Sequence, residues 1–579
     1  MATTKSTPNS NNPIPKKPSS DSVKPAQQDN VEEPPTFGRS AILMLVLALA
    51  IYAYQTNVFN LLSNTNVPPR ENWEEDVVLS ADIPKREEVV EAFKYAWAAY
   101  ERDAMGNDEY HPLSKKGSNL TDSGGIGYAI IDSIDTMLIM GLEKEYNTAR
   151  NWVANELSFD HDGNFNTFET TIRVLGGLLT AYHLSDEDPI FLEKAIELAD
   201  RMLPAFETPT GLPFGMVNLA KREGVDDPNY AGLVSTAEAS TLQLELKYLS
   251  FLTDNDNYWD KAEGAMKAIK AAALPHGLVP IYLNAQTGQF LVSEIRLGSR
   301  GDSFYEYLLK QFLQTGKSES VYLQMYKQAM DSVHSNLVKK GETHKLTYTS
   351  ELLPERQDGQ MTWRLSPKQD HLVCFLAGSL MLGATTTEAI HEKVSVPPRP
   401  GQLTLTGQKD WELGVELLKT CVDTYNTATG LAAEIVHFYT SDDGLQAHPE
   451  RDWYIKGNEI PAQPSYDARY LLRPETVESL FIAYRLTGDE QYRADGWRIF
   501  QAIQKYSRLE SGGYASLLNV DVVHSIKIDK METFFMSETL KYLYLLFSES
   551  TLLPLDEYVF NTEAHPLPMF TPSTRTSFF

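Results

Sequence analysis

From about Glu87 onward the apolar positions recur at helical spacing, and the segments that carry them resemble one another. ETTIRVLGGLLTAYHLSDEDPIFLEKAIELADRML starts at Glu169, EASTLQLELKYLSFLTDNDNYWDKAEGAMKAI at Glu238, and ETVESLFIAYRLTGDEQYRADGWRIFQAI at Glu475. Each reads as an apolar helix, a short polar turn, an aromatic residue and then an amphipathic helix. That is an αα-hairpin, the unit of helical arrays. A looser copy begins at Asp302, and further apolar helices start near Asp132, His371 and Glu538. The seven first helices are apolar almost all round, as helices buried behind an outer layer are. The pattern predicts an all-α body. If the seven close into a parallel ring, their N-terminal ends meet at one mouth.

Each first helix begins with a titratable residue: Asp132, Glu169, Glu238, Asp302, His371, Glu475 or Glu538. Taken singly, an acid at such a position is an ordinary first-turn residue, and Ser303 with Glu306 reads as a capping box. Six acids in register, beside arginines, point to chemistry instead. Arg173 lies four residues after Glu169, on the same helical face. Arg300 stands two before Asp302, and Arg473 two before Glu475. Mixed carboxylates and guanidinium groups in one pocket spread the carboxylate pKa values. Glycoside hydrolysis needs that spread, with one protonated acid for the leaving oxygen and one ionised base for water. Phe168, Phe304 and Phe534 beside the acids are candidate sugar-stacking faces.

The N-terminal stretch has a different pattern. Residues 1–39 are rich in Ser, Pro, Asn and Lys and read as a disordered cytosolic tail. Residues 40–62, with the apolar run AILMLVLALAIYAY, read as a transmembrane signal anchor, against the alternative of a cleaved signal peptide. Lys16, Lys17, Lys24 and Arg39 precede it, so the positive-inside rule leaves the remainder luminal. Residues 63–85 read as a stem, 86–568 as the catalytic domain and 569–579 as a C-terminal tail.

Composition adds two constraints. A formal charge of −27 over 579 residues argues against a nucleic-acid partner, which needs clustered Lys and Arg. The two cysteines, Cys374 and Cys421, are too few for a disulfide scaffold; they read as core thiols in a reducing compartment, or as one bridge in a lumen. Asn119-Leu120-Thr121 is a glycosylation sequon, compatible with a lumen.

FETTIR (168–173), RGDSFYEYLLKQ (300–311), LRPETVESL (472–480) and FNTEAHP (560–566) occur in the order found in the class I α-1,2-mannosidases, glycoside hydrolase family 47. The chain resembles that family over roughly residues 85–568. The resemblance implies an (αα)7 barrel of seven αα-hairpins, plugged at one end by a C-terminal β-hairpin. It also implies a bound Ca²⁺ and inversion at the anomeric carbon. By motif, Glu169 matches the general acid, with Asp302 the competing candidate, and Glu475 matches the general base. Arg173, Glu238, Arg300, His371, Arg473, Glu478, Phe534, Glu538 and Glu563 match pocket positions, and Thr562 matches the residue that binds calcium through hydroxyl and carbonyl oxygens. Cys374 and Cys421 match a disulfide pair. AMGNDEYHP (104–112) departs from the Trp and His that the family often carries there. The expected substrate is a high-mannose N-glycan on a glycoprotein, trimmed by a monomeric catalytic domain anchored in the endoplasmic reticulum membrane or early Golgi. Arg300 before GDS favours the reticulum type, which removes a single mannose. A broader Golgi-type enzyme and a mannose-binding, lectin-like relative are the alternatives.

Overall fold

The computed structural model describes residues 77–573 apart from 231, 273–275, 392, 442–447, 449 and 459–464. The expected tail, anchor, most of the stem and the end of the C-terminal tail lie outside the described residues. Among those described, no helix is long and apolar enough to cross a membrane.

Fourteen helices carry the body: α1 (Ile83–Ala104), α2 (Tyr128–Ile139), α3 (Glu143–Asn155), α4 (Gly176–Leu184), α5 (Pro189–Met202), α6 (Gln243–Thr253), α7 (Asp256–Ala272), α8 (Asp302–Gln314), α9 (Ser320–Ser332), α10 (Phe375–Thr387), α11 (Leu405–Asp423), α12 (Glu475–Thr487), α13 (Glu490–Tyr506) and α14 (Leu540–Leu546). The even-numbered helices touch in a cycle. α2 packs on α4, α4 on α6, α6 on α8, α8 on α10, α10 on α12 and α12 on α14; the π-helical turn Phe535–Thr539, which leads into α14, returns to α2. Each even helix is backed by the odd helix that follows it, except α14, which is backed by α1. Among the described residues, the helical body therefore opens with the outer partner of its last inner helix. α1 begins at Ile83, and Leu79 donates its N–H to the Ser550 hydroxyl at 2.9 Å.

Sequence explains the two layers. α8 buries all but its first residue and α12 nearly as much, so they have no solvent face. α13 buries only Arg493, Gly496, Ile499, Phe500, Ala502 and Ile503, at helical spacing, and leaves a polar face outward. Outer helices also start with side-chain caps: Asp82, Asp188, Thr404 and Asp489 each accept a first-turn N–H. Pro84 and Pro189 occupy first-turn positions where no N–H is needed. At the inner helices α8 and α12, the preceding residues Gly301 and Pro474 offer no side-chain cap. At α8 the Asp302 N–H donates to the Gly298 carbonyl at 3.0 Å, and the Ser303 N–H donates to Asp302 Oδ1 at 2.8 Å.

Near the C-terminus, strands Tyr558–Phe560 and Pro566–Pro568 pair antiparallel and contact α8 and α4. The turn between them enters the cycle. Asn561 Nδ2 donates to the Ile172 carbonyl at 2.9 Å and to Glu245 Oε1 at 2.8 Å, and Thr562 N–H donates to the Tyr307 hydroxyl at 3.3 Å. Lys541 Nζ donates to the Ala564 carbonyl at 2.7 Å. Cys374 and Cys421 form a disulfide between the turn that enters α10 and helix α11.

Two sequence expectations change. Gly127, in a left-handed conformation, starts α2 at Tyr128, so Asp132 is a mid-helix residue and not a helix-start residue. It is fully buried, 3.4 Å from Arg173 and 3.3 Å from His565. The capping box forms at Ser235 and Glu238, not at Ser303 and Glu306. The Ser303 hydroxyl instead accepts from Thr241, and Glu306 pairs with Lys310.

Candidate active site

A cavity of about 390 Å3 opens among the N-terminal ends of the inner helices. Its wall includes Phe168, Glu169, Arg173, Glu238, Arg300, Asp302, Arg473, Glu475, Glu478, Phe534, Glu538, Thr562 and Glu563. Of the residues that the family motifs assign, only His371 and the two cysteines are not on this wall; Asp132, expected at the same mouth, is not on it either. The His371 ring is buried behind Glu475, its Nε2 3.6 Å from Glu475 Oε2 and 3.4 Å from the Thr476 hydroxyl; Leu372 takes its place at the surface. Phe304 is also absent from the wall: its ring packs in the core, edge-on to Tyr305.

Local structure explains how the acids reach the cavity. Asp302 and Glu475 are the first residues of α8 and α12. Glu169 ends a single turn capped by Asn166, followed by a π-helical stretch, Thr170–Leu175, and Glu538 lies within a second π-helical turn. Such turns shift side chains around the helix axis and recur at functional sites. Glu238 is held by its capping box and by Asn166 Nδ2, which donates to Oε1 at 3.1 Å.

Two of the three arginines are neutralised by carboxylates. Arg173 Nε donates to Glu169 Oε2 at 2.8 Å, as the four-residue spacing predicts, and its other edge pairs with Glu563 and reaches Asp132. Tyr128 also donates to Glu169 Oε2, at 3.2 Å. Arg473 forks onto Glu434, with Nε 2.9 and 2.8 Å from the two oxygens and Nη2 2.6 Å from Oε1. Nη1 of Arg473 lies 3.7 Å from Glu475. Arg300, by contrast, rests on the rings of Tyr230 and Tyr282.

Burial dominates the electrostatics. It pushes the carboxyl groups of Asp302 and Glu475 up to about 7, and Glu478 up to about 8 despite Lys310 at 3.6 Å. Glu538 and Glu563 are held well above the usual carboxylate range, by burial first and then by neighbouring carboxylates. Burial drives His371 down to about 3, which leaves a neutral imidazole behind the Glu475 carboxylate. Among the described residues, Glu475 Oε2 has no hydrogen-bond partner. A desolvated oxygen with a free lone pair, near carboxyl groups that keep their protons close to neutrality, is suited to acid–base work.

The sequence reading missed Glu434, Tyr128, Tyr230, Tyr282 and Lys310. None stands at a repeated position; a buried counter-charge for Arg473 is the one signal that charge accounting could have asked for. Within the segment 104–112, Asp108 accepts the N–H groups of Leu120, Ile126 and Tyr128 and so orders the entry to α2, while Glu109 lines a second cavity with Glu169, Arg173 and Arg473.

Among the described residues, no group of three or more His, Cys, Asp or Glu side chains forms a metal cage. The Thr562 hydroxyl nevertheless stands on a wall with eight carboxylates and three guanidinium groups. That oxygen-rich, anionic lining fits a hard divalent cation better than a soft one.

The glycosyl hydrolase family 47 model matches residues 92–569. A mannosyl-oligosaccharide 1,2-alpha-mannosidase of Arabidopsis thaliana is 45% identical, over 84% of this chain and 79% of its own length. The endoplasmic reticulum mannosyl-oligosaccharide 1,2-alpha-mannosidase of Schizosaccharomyces pombe is 41% identical, over 92% of this chain and 96% of its own. The solved alpha-1,2-mannosidase of Trichoderma reesei superposes with a TM-score of 0.73 at 28% identity, covering 85% of this chain and all of that one. With a match that runs the length of the helical body and a cavity lined by acids at inner-helix starts, this chain belongs to glycosyl hydrolase family 47.

Proposed function

We propose that the protein is a calcium-dependent, inverting exo-α-1,2-mannosidase that trims high-mannose N-glycans in the endoplasmic reticulum, taking a nine-mannose to an eight-mannose form. In this reading the cycle of helix pairs is the (αα)7 barrel, and the C-terminal hairpin is its plug. The observation that carries the reading is the gathering of Glu169, Asp302 and Glu475 on one cavity wall, two of them with carboxyl groups near neutrality. The names of the plant and fission-yeast relatives support the linkage, and the latter supports the compartment.

Glu475 is the general base. Its free Oε2 accepts a proton from the attacking water, while the neutral His371 and the tethered Arg473 hold the carboxylate in place. The leaving oxygen takes a proton from Asp302 or Glu169. Asp302 is the better poised of the two, because burial keeps its proton on near neutral pH, whereas Glu169 is occupied by Arg173 and Tyr128. Addition of water and departure of the sugar on opposite faces inverts the anomeric carbon. Thr562 would hold calcium through its hydroxyl and carbonyl oxygens, with water and sugar hydroxyls completing six to eight ligands. Bound there, the ion would supply a fixed positive centre for oxygen ligands beside Glu538 and Glu563.

Incubation with a nine-mannose glycan, with and without EDTA, tests the proposal. One eight-mannose isomer as the sole early product, lost on chelation and restored by calcium, is the expected result. Failure to release mannose at any calcium level would overturn it.

A further inference from the structure

Arg300 differs from the other two cavity arginines in its partners. Arg173 and Arg473 spend their donors on carboxylates, whereas no carboxylate among the described residues pairs with Arg300. Among the described residues, the one hydrogen bond of its guanidinium runs from Nη2 to the Tyr230 hydroxyl, at 3.1 Å. The guanidinium carbon lies 4.7 Å from the centroid of the Tyr230 ring and 5.4 Å from that of Tyr282. The two rings lie 5.5 Å apart, tilted by 30°, and form one shelf.

The backbone beneath this side chain is constrained. Arg300 has φ +71°, a left-handed conformation rare outside glycine. Its carbonyl accepts the Ala237 N–H at 3.0 Å. A Cβ at Gly301 would come within 2.5 Å of the Arg296 carbonyl, so the chain has no room to relax there. The shelf is anchored on the same structure. Tyr282 pairs in register with Ser235, the residue that caps the turn carrying Glu238, and the Tyr230 carbonyl accepts the Leu233 N–H at 2.7 Å.

Aromatic faces hold a guanidinium by attraction to the π cloud, which leaves its in-plane N–H donors unused. A carboxylate at the same place would consume two of them. We propose that Tyr230 and Tyr282 are positioning residues that hold the Arg300 guanidinium at the cavity wall with its remaining donors free for hydroxyl groups of a branched glycan. This rests on the mannosidase reading. It assigns the discrimination between a whole glycan and its terminal disaccharide to the shelf together with the arginine.

The test compares Tyr282→Phe, Tyr282→Leu, Tyr230→Phe and Tyr230→Leu in the calcium-loaded full chain. Two substrates are used, a nine-mannose N-glycan and the α-1,2-linked mannose disaccharide, and glycan affinity is measured in a Glu475→Gln background. The leucine variants should lower the glycan-to-disaccharide ratio of kcat/KM about tenfold and weaken glycan binding by a similar factor. Tyr282→Phe, which keeps the ring, should stay within about twofold of the unaltered protein. Tyr230→Phe, which loses only the acceptor, should fall between. A ratio and an affinity unmoved in both leucine variants would overturn the proposal, as would a Tyr282→Phe as damaging as Tyr282→Leu. If the unaltered protein releases mannose from neither substrate, the mannosidase reading fails instead, and the affinity measurements still decide the role of the tyrosines.

Discussion

Arg473 is forked onto Glu434 through both Nε and Nη2, and this turns its Nη1 edge towards Glu475 at 3.7 Å. Glu434 is buried and belongs to no inner helix; its carbonyl accepts the His371 N–H at 2.9 Å. One loop residue therefore sets both neighbours of the proposed base.

Replacing Glu434 with alanine would leave the guanidinium buried and unpaired. Loss of one partner of a buried pair costs about 3–5 kcal/mol. The expected result is a fall of that order in unfolding free energy from denaturant titration. Activity should fall by about a hundredfold as Arg473 swings out of position. Glu434→Gln, which keeps an acceptor, should recover part of both.

The raised carboxyl groups make the metal-free protein lose stability as pH rises. Glu478 titrates near 8 in the folded chain because burial disfavours its charge. In the unfolded chain it titrates near the usual carboxylate value, so the folded state binds more protons between those limits. Stability from this group is complete below the unfolded pKa, declines through the interval and is lost above about 8. Each unit of separation is worth about 1.4 kcal/mol. In EDTA, Glu478→Gln should match the unaltered protein at pH 4 and exceed it by a few kcal/mol at pH 9. Equal midpoints at pH 9 would refute the effect.

How much of this was readable beforehand differs by residue. Asp302 and Glu475 could be placed because Gly301 and Pro474 end their loops and the apolar period starts at once. Glu169, Glu238, His371 and Glu538 were found as acids or imidazole at helix starts, yet each sits on a short turn before the long helix, a distinction that periodicity does not encode. Asp132 was misplaced by about a turn. Gly127, in a left-handed conformation, starts the helix at the next residue. Glu434, Tyr230 and Tyr282 lie in loops or short strands whose roles exist only once distant segments meet. The Asp132–His565 contact, which ties the C-terminal hairpin turn to α2, is the same kind of long-range pairing.

Thr562→Ala should weaken calcium without unfolding the chain, because the turn is also held by Asn561 and by Lys541. A ligand at a hundred times its dissociation constant stabilises by about 2.7 kcal/mol. Calcium at that excess over the unaltered protein's dissociation constant should raise its melting temperature and leave the variant's nearly unmoved. Direct titration with calcium should show the same loss of affinity.

The Cys374–Cys421 bridge closes a loop with a sequence separation of 47. Chain-entropy arguments put the stabilisation from a loop of this length at about 4 kcal/mol. Converting both residues to alanine should lower the denaturant midpoint correspondingly. Because the bridge sits at the entry to α10, next to His371, a partial fall in kcat should accompany it. The same fall should appear on reduction with dithiothreitol.

Glu475→Gln separates chemistry from architecture. The amide has the shape of the carboxylate but cannot take a proton from water, and loss of a positioned base costs roughly 10²–10⁴-fold in turnover. Glycan affinity should persist, because Arg473 remains held by Glu434 and the cavity wall keeps its shape. Stability should move the other way. Burial drives the native carboxyl up to about 7, so above that pH the folded protein carries a charge that the amide avoids. In metal-free buffer at pH 8 the variant should therefore melt higher than the unaltered protein while turning over far less substrate. A variant that melts lower, or one that retains full activity, would show that Glu475 is held for structure and that the base lies elsewhere on the wall.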